Sequence, residues 1–207
     1  MTENPQDPAT SLPATPADSD SLGRDVALVA TFAAFLAVCA LLPAIVLPGF
    51  AVPITLQTLG VMAAGTVLGT HRGFLAVVLY LAAGFVGLPV FAQGAAGVGV
   101  LGGPSAGYLM AFPFAAALAG WLTGKFARPS SPTQIPRIFA AAIISSLLII
   151  HPIGITVMGW RLGMSAGEAI VTGAAFLPGD IIKNLVVAGL AAALFRAFPA
   201  LLTERQK

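Results

Sequence analysis

The sequence predicts an all-α integral membrane protein, a bundle of six transmembrane helices. Three observations predict it. The 207-residue chain is 57% hydrophobic and only 9% charged, against about 25% charged in soluble chains. Its mean hydropathy is +0.93. Six apolar stretches approach the roughly 20 residues that a bilayer crossing needs. In lipid such stretches must be helical, because every backbone group has to be satisfied within the segment.

Residues 1–24, "MTENPQDPATSLPATPADSDSLGR", hold no apolar run. Rich in Pro, Ser, Thr and Asp, they cannot bury enough surface to order themselves. They are expected to be a disordered cytoplasmic N-terminal tail. A basic n-region and an apolar h-region are both missing, so the stretch does not read as a signal peptide. The transmembrane domain is expected over 25–198, followed by a short cytoplasmic C-terminal tail, 199–207.

The first span is expected at 25–47, "DVALVATFAAFLAVCALLPAIVL". Its lone Cys39 excludes a disulfide framework and reads as a small buried hydrophobe. Ala30, Ala33, Ala34, Ala37, Ala40 and Ala44 give overlapping small-xxx-small pairs. Such pairs let another helix approach closely. They either pack the bundle or form a docking face for a partner membrane protein, with Ala30, Ala34 and Ala37 as that face.

The second span is expected at about 55–69 and is short. The third is expected at about 73–89, the fourth at about 105–126, the fifth at about 137–158 and the sixth at about 180–198. Of the ten Lys and Arg residues, eight fall on one side of this scheme: Arg24, Arg72, Lys125, Arg128, Arg137, Arg196, Arg205 and Lys207. Only Arg161 and Lys183 fall on the other. The positive-inside rule then puts both termini in the cytoplasm, as an even span count also requires.

The three outer connections, 48–54, 90–104 and 159–179, are apolar or glycine-rich and almost uncharged. Irregular backbone of this kind is tolerated at membrane depth where it lines a cavity. A capped pocket is therefore expected at the outer face.

Two motifs in "GVGVLGGPSAGYLMAF", residues 97–112, promise other chemistry. Gly97–Gly102 spells G-x-G-x-x-G, yet no acidic residue occurs between Asp25 and Glu168 to complete a dinucleotide site. Gly103–Gly107 spells a nucleophile elbow, G-x-S-x-G. Ser105, His151 and Asp180 would all stand at the outer ends of helices, which keeps an intramembrane serine hydrolase open. The elbow belongs to a strand–turn–helix of an α/β sheet, however, and none is expected. "GWLTGKF" lacks the spacing of a phosphate loop.

Ionisable residues inside spans are expensive and usually functional. "LPGDIIKNL" sets Asp180 and Lys183 on one face of helix 6, with Asn184 on the adjoining flank. Either Asp180 is a first-turn residue favoured by the helix dipole, or the group is a ligand site. An Asp beside a Lys and an Asn offers acceptors and donors to a small neutral group carrying both N–H and C=O. "VPITLQTLG" adds Thr55 and Gln57 at the same level, and Tyr108 and Ser105 stand at the top of helix 4. Gly102 and its neighbours let backbone approach a ligand with no Cβ in the way. The helix 4 N-terminus, with Pro104 in its first turn, suits an anion.

"VPITLQTLG", "GPSAGYLMAFP" and "FLPGDIIKN", in this order and spacing, resemble the BioY family. Those proteins are the biotin-specific substrate-binding components of energy-coupling factor vitamin transporters. The resemblance runs from about residue 25 to 198. It implies a six-helix substrate-binding domain with an outward vitamin pocket, roofed by the loops after helices 1, 3 and 5. It implies that Asp180 and Lys183 contact the biotin ureido ring. It also implies that the helix 1 alanines dock a transmembrane coupling subunit, which binds two ATPases. Some relatives place an arginine in the loop after helix 3; "FAQGAAGVGVLGG" has none. Backbone N–H groups, Ser105 or Gln93 are then left for the carboxylate. On this reading the chain is a multi-pass protein of the bacterial cytoplasmic membrane that takes up biotin. It is not an enzyme and needs no catalytic residue, cofactor, metal or nucleic acid. A transporter that works without ATPase partners is the third reading.

Overall fold

The computed structural model describes residues 16–46, 48–128, 131, 133–199 and 201. Its elements are α1 (Pro16–Leu41), α2 (Gln57–Leu68), α3 (Thr70–Phe85), α4 (Ala106–Phe126), α5 (Gln134–Leu162), α6 (Ala166–Ala174) and α7 (Leu177–Ala197). A π turn, Ser146–Ile150, interrupts α5. No β-strand occurs among the described residues. Ile45 and Ile54 form an isolated antiparallel bridge through two 2.9 Å hydrogen bonds.

Helix α4 is the central element, packed by α2, α3 and α5. Its alanines explain the closeness of that packing. Ala111, Ala115, Ala116 and Ala119 are all fully buried, and side chains this small let backbones approach. Large apolar residues face outward instead: Leu148, Ile181, Ile182, Leu185 and Val186 are all exposed. That inversion suits a lipid surround rather than water.

Seven α-helices are found among the described residues, and the expectation of six apolar spans is met only in part. Among the described residues, four segments are long and apolar enough to cross a membrane: Leu22–Leu41, α4, α5 and α7. Helices α2 and α3 are apolar but have 12 and 16 residues. At 1.5 Å per residue they rise about 18 and 24 Å, short of the roughly 30 Å hydrocarbon core. The described residues of 42–56 and 86–105 form no α-helix, and several of them, including Ala51, Thr55, Phe91 and Val100, line a cavity.

Other boundaries move too. Helix α1 starts at Pro16, so residues 16–24 are helical rather than part of the expected tail. Residues 1–15 lie outside the described residues, as does most of 199–207. Pro104 precedes the N-cap Ser105 of α4 instead of occupying the first turn. The expected loop 159–179 contains α6. That helix opens with a capping box, in which the Ser165 hydroxyl accepts from the Glu168 amide and the Glu168 carboxylate accepts from the Ser165 amide. Its Ser-x-x-Glu signature stands in the sequence. Ser165 also holds the Glu168 carboxyl below its ordinary pKa, since both its hydroxyl and its amide donate to the charged form.

Candidate functional site

A cavity of about 220 Å³ lies where the α4 N-terminus meets the irregular segments. Residues 51–55 form one wall, and Gln57 and Thr58 open α2 beside them. Phe91, Ala92, Gln93, Ala95 and Val100 form the roof. Pro104, Ser105, Tyr108, Leu109 and Phe112 come from α4, Ile150 from α5, Phe176 precedes α7, and Asp180 and Lys183 complete the floor.

Among the described residues, Asp180 and Lys183 are the only charged ones lining this cavity. Both are buried, at 3% and 8% exposure. Their spacing in α7 brings Lys183 Nζ to 2.7 Å from Asp180 Oδ1. Thr58 closes a three-way ring: it donates to Asp180 Oδ1 at 3.0 Å and accepts from Lys183 Nζ at 2.9 Å. The ring joins α2 to α7. Burial of two charges is tolerable because they cancel and because further hydrogen bonds satisfy them.

The other carboxylate oxygen is less committed. Asp180 Oδ2 lies 3.5 Å from His151 Nε2. The alignment is not that of a hydrogen bond, and His151 Nε2 has no hydrogen-bond partner among the described residues. His151 Nδ1 is 3.1 Å from the Ser146 carbonyl. A carbonyl only accepts, so Nδ1 carries the hydrogen. The π turn Ser146–Ile150 immediately precedes His151.

A second polar group stands across the cavity. Gln57 Nε2 donates to Tyr80 Oη at 2.6 Å, and Tyr80 donates onward to the Val90 carbonyl at 3.1 Å. Tyr108 packs edge-on against Phe176, centroids 5.7 Å apart. Its hydroxyl is buried with no hydrogen-bond partner among the described residues. Gly154 makes room for that ring, because a Cβ there would stand 2.3 Å from Tyr108 Cε1.

The roof is held by unusual backbone. Gln93 adopts φ 60°, a left-handed conformation costly for a residue with a Cβ. Gly94 follows at φ 75° and Gly97 at φ 78°. Arg161, the basic residue of the third outer connection, donates to the Leu101 carbonyl at 3.0 Å.

Of the residues singled out from the sequence, Thr55, Gln57, Ser105, Tyr108, Asp180 and Lys183 line one cavity. Asn184 and Gly102 do not. Asn184 is buried with its Oδ1 unpartnered, and Gly102 is exposed at the end of the roof turn Val98–Gly102. Thr58, Tyr80, Phe91 and Phe176 were not singled out. Ser105 makes no hydrogen bond to His151, whose Nδ1 partner is Ser146. Ala30 and Ala34 are exposed on α1 and Ala37 is half-buried, whereas Ala33 and Ala40 point into the core.

The BioY family model matches residues 10–200. Among curated proteins, the biotin transporter BioY of Rhizobium etli is 39% identical over 180 residues, covering 86% of this chain and 96% of that protein. The biotin transporter BioY of Rhodobacter capsulatus is 40% identical over 183 residues, covering 82% and 91%. Among solved structures, the S-component for biotin from an ECF-type ABC transporter superposes with a TM-score of 0.79 at 26% identity. That match covers 84% of this chain and 92% of the other. The chain belongs to the BioY family.

Proposed function

We propose that this protein captures biotin and is the substrate-specific subunit of an energy-coupling factor transporter in the bacterial cytoplasmic membrane. The observation that carries the reading is the neutral Asp180–Lys183–Thr58 ring at the floor of a roofed apolar cavity. A ureido ring offers two N–H donors and one carbonyl acceptor. Asp180 takes the donors and Lys183 gives to the carbonyl, while the opposite charges keep the site suited to a neutral ring. The roof meets the rest of the ligand. Gln93, Ser105 and the free N–H groups of the α4 N-terminus are the groups available to its carboxylate.

Six segments cross the membrane on this reading. Helices α1, α4, α5 and α7 do so by length, and α2 and α3 do so together with the irregular chain that continues them. Helix α6 lies across the outer end. The cavity sits at the α4 N-terminus, and Lys125 stands about 30 Å away at its C-terminus. The basic residues gather at that second end, which supports cytoplasmic termini.

The exposed Ala30 and Ala34, with Ala37, form the docking face for a transmembrane coupling subunit that carries two ATPases. The family consists of transporters, and the hydrolase reading has no Ser105–His151 contact behind it. The test of the functional reading is uptake of labelled biotin by cells carrying the complete transporter. Ala34→Leu should abolish uptake and leave biotin binding intact, because bulk there blocks close helix approach. Loss of binding in step with uptake would refute the docking role. Undiminished uptake without the ATPases would favour a self-sufficient transporter.

A further inference from the structure

A second feature lies at the basic end and is independent of what the cavity binds. A groove of about 830 Å³ runs between the α2–α3 turn and the last turns of α4. Its ionisable lining residues are His71, Arg72, Lys125 and Arg128, with no carboxylate among them. The turn rests directly on α4: a Cβ on Gly120 would stand 2.4 Å from the Gly69 carbonyl carbon. The basic residues His71, Arg72, Lys125 and Arg128 line the groove.

These cations are not equally compensated. Arg72 pairs with Asp25 at 2.7 Å. Lys125 and Arg128 have no carboxylate within ion-pair distance among the described residues. Lys125 Nζ stands instead 4.9 Å from the Trp121 ring centroid and 5.7 Å from that of Phe126. Both rings are about half exposed, as in the aromatic belt where hydrocarbon meets headgroups.

Lys125 and Arg128 also rim a furrow of about 310 Å³ between α4 and α5. Arg137 joins them there, steadied by a 3.4 Å hydrogen bond from Nη1 to the Phe126 carbonyl. The remaining lining is apolar: Leu122, Phe126, Ala140, Ala141 and Ile144. Cations at the mouth and an apolar track along the helices match one amphipathic ligand. A free anion would use the first feature and leave the second empty.

We propose that Lys125, Arg128 and Arg137 bind the phosphate of an anionic glycerophospholipid whose acyl chain lies in the α4–α5 furrow. Basic pockets between transmembrane helices recognise such headgroups by charge.

The test uses the full-length protein in detergent containing phosphatidylcholine, titrated with phosphatidylglycerol. Retained lipid is counted by native mass spectrometry. The wild type should retain phosphatidylglycerol and not phosphatidylcholine. Each cation should contribute about fivefold, so Lys125→Gln/Arg128→Gln together should weaken retention about 25-fold. Ile144→Trp, which fills the furrow and leaves every charge in place, should also release the lipid. A large excess of inorganic phosphate should not displace it. Undiminished retention in either variant, or equal retention of both lipids by the wild type, overturns the proposal. Displacement by phosphate overturns it in favour of a free-anion site.

Discussion

Replacing Asp180 by Asn keeps the shape of the side chain and removes its charge. Two separate losses follow from the geometry. Within the protein, Lys183 is 8% exposed and its Nζ lies 2.7 Å from Asp180 Oδ1. Without the carboxylate it becomes a buried cation with no counter-charge, at a cost of about 3–5 kcal/mol of stability. For the ligand, the ureido N–H groups lose an ionised acceptor while Lys183 is left mispaired, at about 2–5 kcal/mol of binding. The lower figure is already about 30-fold in affinity. Gln57→Ala should cost less, about 1 kcal/mol, because it removes neutral hydrogen bonds. The double variant Asp180→Asn/Lys183→Met separates the two losses. It leaves no buried unpaired charge, so most of the stability returns, while both recognition groups remain absent and binding stays weak. Thermal unfolding in detergent reads the first loss. Calorimetry with biotin and with a dethio analogue that keeps the ureido group reads the second. Both ligands should lose comparable affinity. If Asp180→Asn binds both as tightly as the wild type, the pair is only a helix-end device and the reasoning fails.

Two further predictions rest on other parts of the structure. Gly154→Ala would place a Cβ 2.3 Å from the Tyr108 ring; it should displace that ring from the cavity wall and weaken biotin binding by about fivefold or more, as expected for an overpacking cost of 1–3 kcal/mol. Unchanged affinity would remove Tyr108 from the site. Reporter fusions at residue 207 and within the α5–α6 turn at residue 165 should report opposite sides of the membrane, and signals from the same side would break the proposed topology.

Much of the cavity was legible because polar residues are rare in this chain. Asp180, Lys183, Gln57, Thr55, Ser105 and Tyr108 each stand at the charge-poor end of an apolar stretch, and all of them line one space. Asn184 shows the limit of sequence adjacency. It follows Lys183 directly, so it is turned about 100° around α7 and does not line the cavity. Thr58 was missed because an isolated Thr in an apolar helix usually bonds its own backbone; its partner lies 122 residues away. His151, 3.5 Å from Asp180, follows a π turn that has no residue signature. Helix α6 was legible in principle, since Ser165 and Glu168 have capping-box spacing before an apolar run, but the uncharged segment read more simply as a loop. Helices α2 and α3 are short, and residues beyond their ends line the cavity, an arrangement that hydropathy does not encode.

The central claim is that this cavity holds biotin through the Asp180–Lys183 pair. The most direct test is calorimetric titration of biotin into the purified full-length protein in detergent, beside Asp180→Asn. The account predicts saturable binding by the wild type and affinity at least about 30-fold weaker in the variant. Folded wild-type protein that takes up no biotin would contradict it.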